Sequence, residues 1–295
     1  MLIPPETVDL ILGHLSRSDL VPTLVVHSSF HHLAARVLYR ALVDVPPKQT
    51  LHLVKTLARN DLYPLFVRRF DLEWSFNILT ANFLRLLHHT LQRLRHLSYL
   101  GLEFSKTDTT ANLAWILHDC SFSLRVFSTS MRCDPPLVRF LETQHAVTEI
   151  CLRGFSPTLS LAPHALPRLR HLRTVLAPPH VTADFVRGRP VQTVSLSLSP
   201  GDAAASLDAL LLSTCPLRRL TVMSFDFIAP AEPIALIAAR LPALEALHAV
   251  VFPRHPTHAS PPLRVFSLTL TTDSRRCCAR QRPPSQALLR CGISR

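Results

Sequence analysis

Sixteen histidines, seven cysteines and the closely spaced carboxylates Asp71 and Glu73 are the side chains of this 295-residue chain most able to hold a metal or move a proton. Their spacing argues against both. His27, His31 and His32 crowd one helical stretch, and His88-His89 are adjacent with no acid at helical spacing. There is no H-E-x-x-H and no Cys/His set at zinc spacing. A phosphate-cradling loop is excluded too, since the chain has only six glycines and no G-x-x-x-x-G-K. A G-x-S-x-G nucleophile turn is also missing. Asp71 and Glu73 flank Leu72 as the outward residues of a strand would, so they read as charges on a binding surface rather than as an acid–base pair. No catalytic activity, metal or cofactor is expected.

The elements that would display such a surface come in two patterns. The first occupies the N-terminal residues. Pro5 suits the first position of a helix, where its missing N–H costs nothing, and Glu6 suits the positive end of the helix dipole. Val8, Ile11, Leu12 and Leu15 then follow at i, i+3, i+4, i+7, one face of a helix. Ser16 with Asp19 is a capping signal for a second helix, which carries Leu20 and, against propensity, Pro22. A third helix has Phe30, Leu33, Ala34, Val37 and Leu38 on its apolar face, and Pro46-Pro47 closes the unit. Three helices this short are too small to hide all their apolar surface.

These residues resemble the F-box. The match runs Ile3-Pro4-Pro5-Glu6, Ile11, Leu15, the Ser16–Ser18 turn, Asp19-Leu20, and Val26 with Phe30, over roughly residues 2 to 42. Ile3 stands where the family has Leu, and Pro22 is unusual for its second helix. The resemblance implies that the unit binds a Skp adaptor. The residues it points to as adaptor contacts are Pro4, Pro5, Val8, Ile11, Leu12, Leu15, Leu20, Val26 and Phe30.

The second pattern is a repeat. L-x-x-L-x-L, allowing Val, Ile or Phe, starts at Val67, Leu97, Leu124, Val147, Leu169, Val191, Leu217, Leu244 and Leu263, with Thr129, Thr174 and Ala249 at the last position of three of them. The mean period is about 24 residues, within the range of leucine-rich repeats. Each pattern predicts a short strand, and the strands are expected to stack in parallel. Helical returns are predicted over 75–91, 108–120, 135–144, 202–214 and 232–241, and irregular returns after Leu172 and Leu247. The family's Asn or Cys three residues beyond the last Leu is replaced. Hydroxyls stand at Ser75, Ser105, Ser199 and Thr271, but Arg132, Phe155, Phe225 and Phe252 cannot bond the backbone in the same way, so no regular polar ladder is expected.

The fold class expected is therefore α/β: a three-helix F-box over 1–45, a helical linker over 46–66, an irregular leucine-rich-repeat solenoid over 67–274, and a basic disordered tail over 275–295. A hydrophobic content of 47% and a mean hydropathy of +0.21 suffice for a large core, and no apolar run is long enough to span a membrane. The N-terminal residues lack the basic start of a secretory signal. Seven cysteines without a C-x-x-C pair read as reduced thiols of the cytoplasm or nucleus.

The formal charge of +12 raises nucleic acid as a partner. Half of that excess is the six arginines of 275–295, a segment with no acid; elsewhere 26 basic residues face 20 acidic ones. Nucleic acid is accordingly not the expected partner. Together the two resemblances imply a substrate-recognition subunit of an SCF-type cullin ubiquitin ligase, with the F-box on the Skp adaptor and the repeats on an unidentified target protein. The alternative is a basic repeat scaffold that binds nucleic acid or acidic proteins and has no ligase role.

Overall fold

A computed structural model of the chain describes residues 4–74, 79–104, 112–155, 160–224, 231–251 and 264–269. The chain groups into two units, 1–168 and 169–295.

The first unit opens with helices α1 (Pro5–Gly13), α2 (Arg17–Val26) and α3 (Ser28–Arg40). Ser16 caps α2, its hydroxyl accepting from the Asp19 N–H at 3.3 Å as the sequence signal predicts. The strand β1 (Ala41–Leu42), helices α4 (Pro47–Arg59) and α5 (Tyr63–Phe66), and strand β2 (Arg69–Trp74) follow. Next come α6 (Ala81–Arg93), β3 (Tyr99–Phe104), a single tight turn over Ala114–Leu117, β4 (Val126–Thr129), α7 (Pro135–Thr143) and β5 (Glu149–Arg153). β1 to β5 pair in parallel, each with the next. The short strand β1 is not signalled by the repeat pattern, because two residues leave no periodicity to read.

Alternation explains the packing. Phe70, Leu100, Phe127 and Ile150 sit in register, as do Leu72, Leu102, Thr129 and Leu152, and all of them are buried. The first apolar residue of each pattern, Val67, Leu97, Leu124 and Val147, is buried as well. One hydrogen-bond device recurs at each step from β2 to β5. The carbonyl of Arg68 accepts from the N–H groups of Ser98 and Tyr99, that of Ser98 from Arg125 and Val126, and that of Arg125 from Thr148 and Glu149. Each strand is thereby set against its predecessor before the ladder proper begins.

The second unit repeats the arrangement: β6 (His171–Val175), α8 (Pro179–Val186), β7 (Thr193–Leu198), α9 (Ala203–Leu210), β8 (Arg219–Ser224), α10 (Ala231–Arg240), β9 (Ala246–Val251) and β10 (Arg264–Thr269). The same device joins Arg170 to Gln192 and Thr193, Gln192 to Arg218 and Arg219, and Arg218 to Glu245 and Ala246. β6 to β9 are parallel.

Three expectations are corrected. β10 is antiparallel to β9, with Phe266 opposite Ala249, so the ninth pattern does not continue the parallel array. A parallel return normally needs a crossover helix, and the twelve residues between these strands include Pro253, Pro256, Pro261 and Pro262. The return after Leu172 holds the helix α8, started by Pro179 and seated through the buried Val181, Phe185 and Val186. Of the return predicted as helical over 108–120, the described part carries only the turn at Ala114–Leu117. The basic tail, the irregular return expected after Leu247 and the polar positions 75, 105, 225, 252 and 271 lie outside the described residues.

Candidate functional site

The three-helix unit has its own small core. Leu12, Leu20 and Ala34 are buried at its centre, with Val8, Leu15, Leu24, Leu33, Val37 and Leu38 packed against them. Asp9 on α1 pairs with Arg36 on α3, the carboxylate 2.6 Å from one guanidinium nitrogen, which locks the two helices together.

The nine residues expected to contact a partner are divided by this core. Leu12 and Leu20 are buried inside it and offer no surface; they build the unit. Val8 and Leu15 are half-buried against the same core. Pro4, Ile11, Val26 and Phe30 are exposed, Ile11 at 53% and Val26 at 69%. Pro5 takes the first helical position. Sequence reasoning overlooked Leu10, Val21 and Val25, all strongly exposed, Val25 at 86%. A signal existed in the run Leu20-Val21-Pro22-Thr23-Leu24-Val25-Val26. Leu20 and Leu24 make one i, i+4 stripe, and Val21 and Val25 make a second beside it. A helix apolar on two adjacent stripes belongs inside something, and among the described residues only the Leu20 side is covered.

A second site lies on the outward face of β2–β4, in the first unit. Asp71 and Glu73 alternate with the buried Phe70, Leu72 and Trp74, as read from the sequence. They join Asp44, Tyr99, Glu103 and Ser128 around a cleft of about 470 Å3. Asp44 holds a left-handed backbone (φ 53°), a conformation Asp tolerates better than most side chains. Tyr99 donates its hydroxyl to Asp71 at 3.3 Å and carries the Arg69 guanidinium over its ring at 4.0 Å. Gly101, between them on β3, leaves room for the Asp71 carboxylate: a Cβ there would lie 2.2 Å from it. Burial pushes Glu103 up from the ordinary carboxylate range, and the Arg153 guanidinium, 3.0 Å away, only partly opposes this. The cleft can accept hydrogen bonds from a cationic group and would repel phosphate. Its described lining has no thiol, amine or imidazole, and among the described residues no group of three His, Cys, Asp or Glu side chains could hold a metal ion. No described helix is long and apolar enough to cross a membrane.

Together these elements make the chain a mixed α/β protein built on parallel strands with helical returns, opening with a three-helix cluster that belongs to the first unit. No protein-family model matches it, and no curated protein does either.

Proposed function

We propose that the chain is a substrate-recognition subunit of an SCF-type cullin ubiquitin ligase, acting in the cytoplasm or nucleus. The three-helix unit is an F-box that docks on the Skp adaptor, and the degenerate leucine-rich repeats bind the target protein. The chain performs no catalysis; other subunits of the assembly transfer the ubiquitin. The observation that carries this reading is the uncovered apolar stripe of α2, Val21 and Val25 with Val26 beside it, on a unit whose own core is already complete. Apolar surface left on a finished small core marks a partner interface.

The test is capture of the full chain by recombinant Skp adaptor, compared with a V25D/V26D variant. Both side chains are exposed, so the variant is expected to fold and to lose capture. Capture retained by that variant and by I11D would overturn the F-box reading. The scaffold reading draws on the net charge of +12. Against it stands the cleft of β2–β4, where Asp44, Asp71, Glu73 and Glu103 are a poor seat for a phosphate backbone. Salt-sensitive binding of an RNA or DNA duplex by the full chain, without adaptor capture, would favour the scaffold.

A further inference from the structure

A second cleft of the first unit, about 590 Å3, lies where the end of α1, the last turns of α3 and α5 come together. Leu10 and Leu65 are exposed at it, and Phe66 is half-buried. Asp9 is the acid that lines it, and Asp9 is already neutralised by Arg36. Arg40 and Arg68, both exposed, add two further guanidinium groups, and no described carboxylate lies within ion-pair range of either. The lining thus combines apolar side chains, Leu10, Leu65 and Phe66, with the cationic Arg40 and Arg68.

The Arg68 N–H donates to the Arg40 carbonyl at 2.9 Å, which sets the backbones that carry the two cations side by side. Just ahead of α5, the Asn60 side-chain oxygen accepts from the N–H groups of Leu62 and Tyr63 at 2.8 and 2.9 Å. Tyr63 stacks on Tyr39 of α3, ring centres 4.3 Å apart. A preorganised site loses less entropy on binding than one that must first be ordered.

We infer that this cleft binds an acidic, apolar segment of a protein partner, one or two leucine- or phenylalanine-sized side chains against Leu10, Leu65 and Phe66 with flanking carboxylates on Arg40 and Arg68. Charge complementarity selects this occupant: a basic segment would be repelled by Arg40 and by Arg68, whose guanidinium donates to the His96 carbonyl at 3.2 Å but meets no described carboxylate, and a purely polar segment would leave Leu10 and Leu65 without apolar contact. The inference stands apart from the ligase reading, since it needs no adaptor.

The probe is a fluorescein-labelled octapeptide with five Asp or Glu residues around two leucines and a phenylalanine, titrated against the full chain and followed by fluorescence anisotropy. Saturable binding is expected, weakening as salt is raised. R40E/R68E is expected to lose at least tenfold in affinity and L10S several-fold, both with unchanged melting profiles. If R40E/R68E does not fold, R40Q and L10S carry the test. Equal binding of the peptide with its apolar residues changed to serine, of a lysine-for-acid peptide, or of a uridine decamer would overturn the inference. So would absence of saturation, or unchanged affinity in R40Q and L10S. No adaptor is present, so failure here leaves the proposed ligase role untouched.

Discussion

Arg93, at the end of α6, reaches 35 residues back along the chain and donates a hydrogen bond to the carbonyl oxygen of Ala58. The same guanidinium donates to the Asn60 carbonyl at 3.0 Å and to the Asp61 carboxylate. It therefore closes the end of α4, whose last carbonyls have no intrahelical donor. The side chain of Arg93 is mostly buried and that of Asp61 is almost wholly exposed. The carbonyl bonds should thus matter more than the ion pair, since an exposed carboxylate is well solvated without a partner.

Removing the guanidinium with Arg93→Ala strands the carbonyls at the end of α4, and a loss of about 1–3 kcal/mol is expected. Asp61→Ala should leave the denaturation midpoint almost unmoved. Urea unfolding of both variants decides it; equal losses would mean that the ion pair dominates.

The core of the three-helix unit and its exposed stripe should respond oppositely. Leu12→Ala opens a cavity among Leu20, Ala34 and their neighbours, with an expected loss of about 2–5 kcal/mol. Val25→Ala removes a side chain already in water and should leave stability within about 0.5 kcal/mol. Circular dichroism melts measure both, and a large effect of Val25→Ala would show that the stripe is covered within the chain itself.

Gly101→Ala places a methyl on the Asp71 carboxylate and should cost about 1 kcal/mol, because Asp71 must swing away from Tyr99. In an Asp71→Ala background most of that cost should vanish. The double-mutant cycle measures the coupling; a cost unchanged by Asp71→Ala would point to backbone strain instead.

Glu103 supplies a pH test. Burial raises its pKa in the folded protein, so the folded state holds a proton that the unfolded state has released. Its favourable contribution is complete below the ordinary carboxylate range, about pH 4, and is lost as pH rises through the raised folded value. Glu103→Gln removes this dependence. Its melting temperature relative to the natural chain should be lowest near pH 4, rise with pH, and level off once the pH is above the raised folded value. A difference that does not change with pH would refute the assignment.

Much of the architecture was legible in the residue order. Period-2 alternation and the spacing of about 24 residues placed strands at all nine patterns, and side-chain signals such as Ser16–Asp19 are local, so they survive in the one-dimensional string. The antiparallel course of β10 and the helix α8 were not legible, the first because pairing direction depends on what a connection can span, the second because eight residues carry too little periodicity. The recurring carbonyl bonds of Arg68, Ser98 and Arg125 are backbone contacts and leave no mark on residue type. The candidate sites show the same division. Val8, Leu12, Leu15 and Leu20 were recognisable as apolar, but chain order does not say which of two adjacent stripes turns inward. That was decided by what α3 and the Asp9–Arg36 pair bring against them, and the meeting of Leu10, Arg40, Leu65 and Arg68 exists only once α1, α3 and α5 have packed.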